Sequence, residues 1–281
     1  MRTALASFLA AGLITLAGCS TNPSTGRKQL ILVGSDQTTA MGEAAKPELT
    51  EQYGGPVQSS QLRNYVTTVG KRLAAQTEPE YKNIKWEFTT LDSDVINAFS
   101  LPGGKIFITR GLLSKFHDEA QVAGVLGHEI GHVTAKHVDE RISQATVVQT
   151  GAQLGGQLSQ SQIASLGLQL FGQGYLLKFS RQQESEADSQ GLKYMTRAGY
   201  SPQGMVEVLQ VLADESKSGR QPEILSTHPD PEKRLQDVES QIAKQYADAA
   251  HNTTKYQLYP DRFERGAAPY LDVSVSRPKK K

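Results

Sequence analysis

The stretch AGVLGHEIGHVTAKH, Ala123 to His137, carries three histidines, and the spacing of the first two is a demand on the backbone. His128 and His132 are four residues apart, and four steps along an α-helix return a side chain to nearly the same face. On a helix these two imidazoles can hold one cation. Glu129, one step from His128, points beside the pair and is better placed to act on a water than to bind the metal. Nitrogen donors that leave one position for water suit Zn2+ in tetrahedral geometry. The flanking residues supply the helix. Asp118 can cap it with Gln121 three residues on, no proline interrupts it through Arg141, and Val122, Leu126, Ile130 and Val133 fall near one side. His137, five residues beyond His132, points away from the metal face of a continuous helix and suits an exposed place or a supporting one.

Two histidines do not complete a site. In SRQQESEAD the acids are Glu184, Glu186 and Asp188, and Glu184 and Asp188 share a helical face because they too are four apart. One of them can bind the metal while the other orients a ligand imidazole through its free N–H.

The rest of the chain reads as helices around a short run of strands. QLRNYVTTVGKRLAAQ places Leu62, Tyr65, Val66, Val69 and Leu73 at helical spacing. In NIKWEFTTL the residues Ile84, Trp86 and Phe88 alternate with polar ones, the pattern of a half-buried strand. Two β-prone runs follow in VINAFSLPGGKIFITRGLL, and Leu101-Pro102-Gly103-Gly104 between them favours a hairpin. Further helices are expected from Ser180, from Ser201-Pro202 and near DPEKRLQDVESQI. From about Ala250 the chain reads as irregular, with one strand at LDVSV. Ile142 to Leu177 contains no Asp, Glu, Lys or Arg, and its Gly and Gln break every apolar run short of the ~18 residues a membrane span needs. It reads as loosely packed surface helices or as a flap over the cleft.

The first 18 residues have one positive charge at Arg2 and an apolar stretch from Ala4 to Ala17, the pattern of an export signal. Leu16-Ala17-Gly18-Cys19 resembles the bacterial lipoprotein box, which implies lipidation of Cys19, the single cysteine of the 281 residues. Ser20 is not the aspartate that retains many such proteins at the inner membrane, so the expected address is the outer membrane, facing the periplasm. Charge is balanced, with 30 Lys+Arg against 29 Asp+Glu, and gives no reason to propose a nucleic-acid partner.

The ordered motifs NPSTGRKQL, NAFSLPGGKIFITRGLL, His128-Glu129-Ile130-Gly131-His132, Glu184-Ser185-Glu186-Ala187-Asp188 and STHPDPEKR together resemble the M48 metallopeptidases of the periplasmic lipoprotein type. The resemblance implies an α+β fold, a mainly helical zincin (gluzincin-like) domain with a small β-sheet beside the active-site helix. It implies one Zn2+ held by His128, His132 and Glu184, with Glu129 as general base and acid and Asp188 behind the ligands. It places His228 of the THPDPEKR stretch near the metal, to steady an oxyanion or to occupy the water position in a closed form, and pairs Arg234 with a site carboxylate. Lys105, Ile106, Phe107 and Ile108 are expected at the rim, binding extended peptide by edge pairing. The expected organisation is a signal peptide over 1–18, a lipidated tether over 19–35, a peptidase domain over 36–250 and a tail over 251–281. The expected function is zinc-dependent endopeptidase action on unfolded or misassembled envelope proteins, with membrane attachment through Cys19. The alternative is a lipoprotein chaperone or assembly factor for outer-membrane proteins, working with their assembly machinery around a structural or latent zinc site.

Overall fold

The structure, a computed structural model, describes residues 19–150, 165, 171, 178–219 and 221–271. The signal peptide expected over 1–18, most of the 142–177 segment expected as surface helices or a flap, and most of the LDVSV strand lie outside the described residues.

The chain opens with an antiparallel pair, β1 (Cys19–Thr21) and β2 (Lys28–Leu30), and continues into helices α1 (Ser35–Gln52) and α2 (Ser60–Ala74). Three strands follow: β3 (Glu87–Leu91), β4 (Ala98–Leu101) and β5 (Lys105–Thr109). They form a sheet of order β3-β5-β4, with β5 parallel to β3 and antiparallel to β4. The β4–β5 hairpin turns at Gly103 and Gly104, whose φ values of 79° and 81° are open to glycine at no steric cost. Ile106 and Ile108 face one core cluster and Phe107 the other, and Phe107 stacks on its register partner Phe99 at 4.6 Å between centroids. A strand covered on both faces is apolar throughout rather than alternating.

Among the described residues five long helices follow: α3 (Glu119–Thr134), α4 (His137–Thr150), α5 (Arg181–Arg197), α6 (Gln203–Lys217) and α7 (Pro231–Gln245). The α+β architecture is as expected, mainly helical with a small sheet beside the helix that carries the histidines. Capping boxes open α3, at Asp118 with Gln121, and α5, at Ser180 with Gln183. Every residue of α3 is buried, so it is the central helix, with α2, α5, α6 and β4 packed around it. Small residues let α5 approach closely. A Cβ on Gly127 would lie 3.3 Å from Gly191 Cα, and one on Gly131 would lie 2.7 Å from the Ala187 carbonyl oxygen.

The segments expected as tether and tail hold the two ends of α3. At its C-terminus Asn22 Nδ2 donates to Thr134 O at 2.9 Å and Gln29 Nε2 donates to Ala135 O at 2.6 Å, satisfying carbonyls that a helix end leaves open. At its N-terminus Ala120 N donates to Leu258 O at 3.0 Å, and Arg262 Nη1 donates to Glu119 Oε1 at 3.1 Å. Helical turns at Ala247–His251 and Pro260–Gly266 bring Ala249, Phe263, Ala267 and Leu271 into the buried interior. Residues 22–33 and 251–271 thus belong to the folded body. These turns are too short to show a helical period in the sequence.

Three local expectations differ. The strand beginning at Ile84 starts at Glu87, because Pro79–Tyr81 forms a 3-10 turn and residues 84–86 lead out of it. The helix expected through Arg141 breaks after Thr134, where Lys136 takes φ 55° before α4 begins. The edge pairing expected of Lys105, Ile106, Phe107 and Ile108 does not hold. β5 is the middle strand, both of its edges are hydrogen-bonded, and Lys105 is buried in ion pairs with Glu43 (2.7 Å) and Glu87 (2.8 Å).

Candidate metal centre

Helix α3 presents His128, Glu129 and His132, and α5, brought close by Gly131 and Gly191, presents Glu184 and Asp188. His228 follows the helical turn Ile224–Thr227, and Arg234 comes from α7. All seven side chains are buried. His128 Nε2 lies 3.0 Å from His132 Nε2 and 3.2 Å from His228 Nδ1, while His228 Nδ1 lies 3.0 Å and His132 Nε2 3.4 Å from Glu184 Oε1. Four donor atoms from His128, His132, Glu184 and His228 converge within 4.8 Å of one another.

The donor set fits a divalent cation. Zinc bonds of about 2.0–2.1 Å in a tetrahedron require donor separations of roughly 3.3–3.4 Å. Four of the observed separations, 3.0–3.4 Å, lie at or a few tenths below that spacing, and His128 Nε2 to Glu184 Oε2, at 3.6 Å, lies just above it. Glu129 is the second indication. Both its oxygens are buried without a hydrogen-bond partner among the described residues, the nearest charge-capable atom being His228 Nε2 at 3.6 Å. A buried carboxylate without a hydrogen-bond partner is costly, and it is kept where a reaction needs it.

The surrounding groups set protonation. Burial drives the His132 imidazole well below its ordinary value, leaving a neutral ring fit to donate a lone pair. Burial alone would raise the Glu184 carboxyl, but the charge of Arg234 and the contacts of His228 and His132 hold it well below the usual range. For His228, burial lowers the pKa and the carboxylates of Glu184 and Glu129 more than offset it, so the net direction is up. Arg234 spans the two carboxylates of α5, with Nε and Nη2 donating to Asp188 at 2.8 and 2.6 Å and Nη1 lying 2.7 Å from Glu184 Oε2. Asp188 Oδ1 stands 2.9 Å from His128 Nδ1, where it accepts that ring's N–H and turns Nε2 toward the other donors.

The structure thus brings together His128, Glu129, His132, Glu184, Asp188, His228 and Arg234, the residues expected from the sequence. The model of peptidase family M48 matches residues 60–242. The chain belongs to peptidase family M48. Its M48 relatives include the mitochondrial metalloendopeptidase OMA1 of Schizosaccharomyces pombe, 31% identical over 82% of this chain and 70% of the relative. They include the β-barrel assembly-enhancing protease of Yersinia pestis, 32% identical over 84% of this chain and 52% of the relative. The protein of that name in Escherichia coli K12 is 35% identical over 63% of this chain and 38% of the relative. The matched region thus covers about half or less of these two bacterial relatives.

For an M48 chain three supporting contacts escape the motif. Phe179 stacks on the His132 ring at 3.8 Å between centroids, and no spacing in the sequence ties it to that ring. His137 is fully buried against His132, because the break at Lys136 turns it inward, where a continuous helix would point it away. The third is the glycine and alanine stripe at Gly127, Gly131, Ala187 and Gly191, whose signal in the sequence is small residues four apart on each helix, a spacing that does not say which helix approaches.

Proposed function

We propose that the protein is a zinc-dependent endopeptidase that acts on unfolded or misassembled envelope proteins on the periplasmic side of the outer membrane. The observation that carries the proposal is the unpartnered, buried Glu129 carboxylate beside four converging metal donors. Zinc at these donors supplies Lewis acidity, polarising the scissile carbonyl and making a water easier to deprotonate. Glu129 takes the proton of the attacking water and delivers it to the leaving amine. Asp188 and Arg234 hold His128 and Glu184 in place, so the donors need little reorganisation.

Extended peptide is better assigned to β4 than to β5. Among the described residues no strand pairs with the edge of β4 that faces away from β5, and β4 packs on the metal helix. Recognition through backbone groups tolerates sequence variation, which suits unfolded substrates. The names of the bacterial relatives support a link to outer-membrane protein assembly. The lipoprotein-like Leu16-Ala17-Gly18-Cys19 supports export and anchoring through Cys19.

A second reading concerns state. His228 Nδ1 sits among the donors, which supports a closed form in which His228 fills the position that water needs. In that reading the enzyme is latent until the loop after Thr227 withdraws.

The testing experiment pairs a zinc assay with cleavage of unfolded casein by wild type, Glu129→Gln and Glu184→Ala. The expected result is cleavage by wild type, full zinc but cleavage reduced at least ~100-fold in Glu129→Gln, and weakened zinc in Glu184→Ala. Undiminished cleavage by Glu129→Gln would remove the mechanism. Bound zinc without cleavage by wild type, even after His228→Ala, would favour the assembly-factor alternative.

A further inference from the structure

Lys136, with φ 55°, interrupts the helical path between Thr134 and His137 and swings His137 beneath His132. His137 Nδ1 lies 2.9 Å from His132 Nδ1, and its other nitrogen, Nε2, lies 3.1 Å from Glu186 Oε2. Glu186 accepts from Arg27 Nε at 3.0 Å and from Gln182 Nε2 at 3.0 Å. The two Nη atoms of Arg27 fork onto Glu140 at 2.9 and 2.7 Å. A chain of polar contacts thus runs from the turn between β1 and β2 to a ligand of the candidate metal centre.

Its far end determines the direction of every hydrogen bond along it. A carboxylate paired with a guanidinium is an acceptor only, so His137 Nε2 carries a hydrogen. In a neutral ring the Nδ1 of His137 is then a lone pair. The hydrogen between the two Nδ1 atoms must therefore belong to His132. This leaves His132 Nε2 bare, facing His128 Nε2 at 3.0 Å and Glu184 Oε1 at 3.4 Å. These hydrogens are assigned by the network. The same tautomer is assigned to the neighbouring ligand, whose Nδ1 has the acceptor Asp188 Oδ1 at 2.9 Å, closer than the donor Arg234 Nη2 at 3.2 Å.

We propose that Arg27, Glu186 and His137 are positioning residues of the metal centre, which act by fixing His132 as an Nε2 donor. The β1–β2 hairpin is then a working part of the site. Its Asn22 and Gln29 hold the last carbonyls of α3, and its Arg27 closes the chain behind His132. The inference rests on the metallopeptidase reading only in taking His132 as a ligand.

The test is zinc affinity, by competition with a chelator, together with the absorption spectrum of the Co2+ form and the melting temperature of the metal-free protein. His137→Leu removes the acceptor for the His132 N–H and is expected to weaken zinc about 10- to 100-fold. His137→Gln, whose amide oxygen accepts that N–H, is expected to recover most of the loss and the wild-type Co2+ spectrum. Arg27→Ala, at the partly exposed end of the chain, is expected to weaken zinc in the same direction even if His137→Leu fails to fold. Affinity within about twofold of wild type in both Arg27→Ala and His137→Leu, or a His137→Gln that binds zinc no better than a folded His137→Leu, would overturn the inference, whatever happens to the melting temperature. So would Arg27→Ala alone with unchanged affinity and spectrum, should His137→Leu not fold. Weakened affinity in these variants, with no protein cleaved by wild type or by His228→Ala, would uphold this inference and overturn the peptidase reading. A wild type that takes up no zinc would overturn both.

Discussion

Gly131 and Ala187 meet at backbone distance, for a Cβ on Gly131 would stand 2.7 Å from the Ala187 carbonyl oxygen. The contact lies one residue before His132 on α3 and three residues after Glu184 on α5, so it sets how far the Glu184 carboxylate reaches toward the imidazoles. Gly131→Ala must push the helices apart, since the obstructing atom is backbone. Overpacking of this kind costs about 1–3 kcal/mol. The expected outcome is a lower melting temperature with weaker zinc binding, read by thermal unfolding and chelator competition. Unchanged zinc affinity would show that the helix spacing does not set the ligand geometry.

Arg234 lies between two buried carboxylates, Asp188 and Glu184, and its removal strands both. Arg234→Met is expected to destabilise the zinc-free protein by about 3–5 kcal/mol, the range for breaking a buried pair from one side. Glu184 and Asp188 are held below their ordinary values of 4.5 and 3.8 respectively, so the stability they contribute is present above those values and lost as pH falls through the folded pKa. The gap between wild type and variant should therefore be full near neutrality and close in acid. Denaturant unfolding of both proteins across pH checks this, and a gap independent of pH would contradict it.

His228→Ala tests the closed form. Removing one of four donors should weaken zinc while leaving His128, His132 and Glu184 to hold it, and casein cleavage should rise. Cleavage and metal coordination that both stay at wild-type values would end the latch reading.

Glu207 and Asp118 oppose two carboxyls at the start of α3. Burial first, then the charge of the neighbouring Asp118, push the Glu207 carboxyl up to about 7 from an ordinary 4.5. An acid whose folded pKa is raised binds more protons folded than unfolded between those two values, so folding stability falls as pH rises through that window. Glu207→Gln should remove this dependence. Unfolding free energies at intervals across that pH range, compared between wild type and variant, check it; parallel curves would exclude Glu207 as their origin.

The helix of His128 and His132 was legible because its evidence is local. Asp118 and Gln121 form the box that their spacing advertises, and four-residue spacing puts both rings on one side. The β4–β5 hairpin was legible for the same reason, since Gly103 and Gly104 admit the positive φ it requires. The position of β5 was not. Its apolar run suits an edge or a middle strand, and only the pairing of Phe88 with Ile106, far apart along the chain, makes it the middle.

His137 shows the same division. The left-handed turn at Lys136 has no signal in the residues around it, and the carbonyls next to it are held by Asn22 and Gln29, more than 100 positions away in sequence. That His128 and His132 share one face with Glu129 beside them follows from residue type and helical period, so the sequence alone determines it, whereas the choice of Glu184 over Asp188 came from the resemblance to a family. Which nitrogens face one another, how close Glu184 comes, that His228 closes the set and that Arg27 stands behind His132 were decided only by tertiary structure. Each depends on contacts between distant segments, whose geometry comes from packing and hydrogen bonding across the fold.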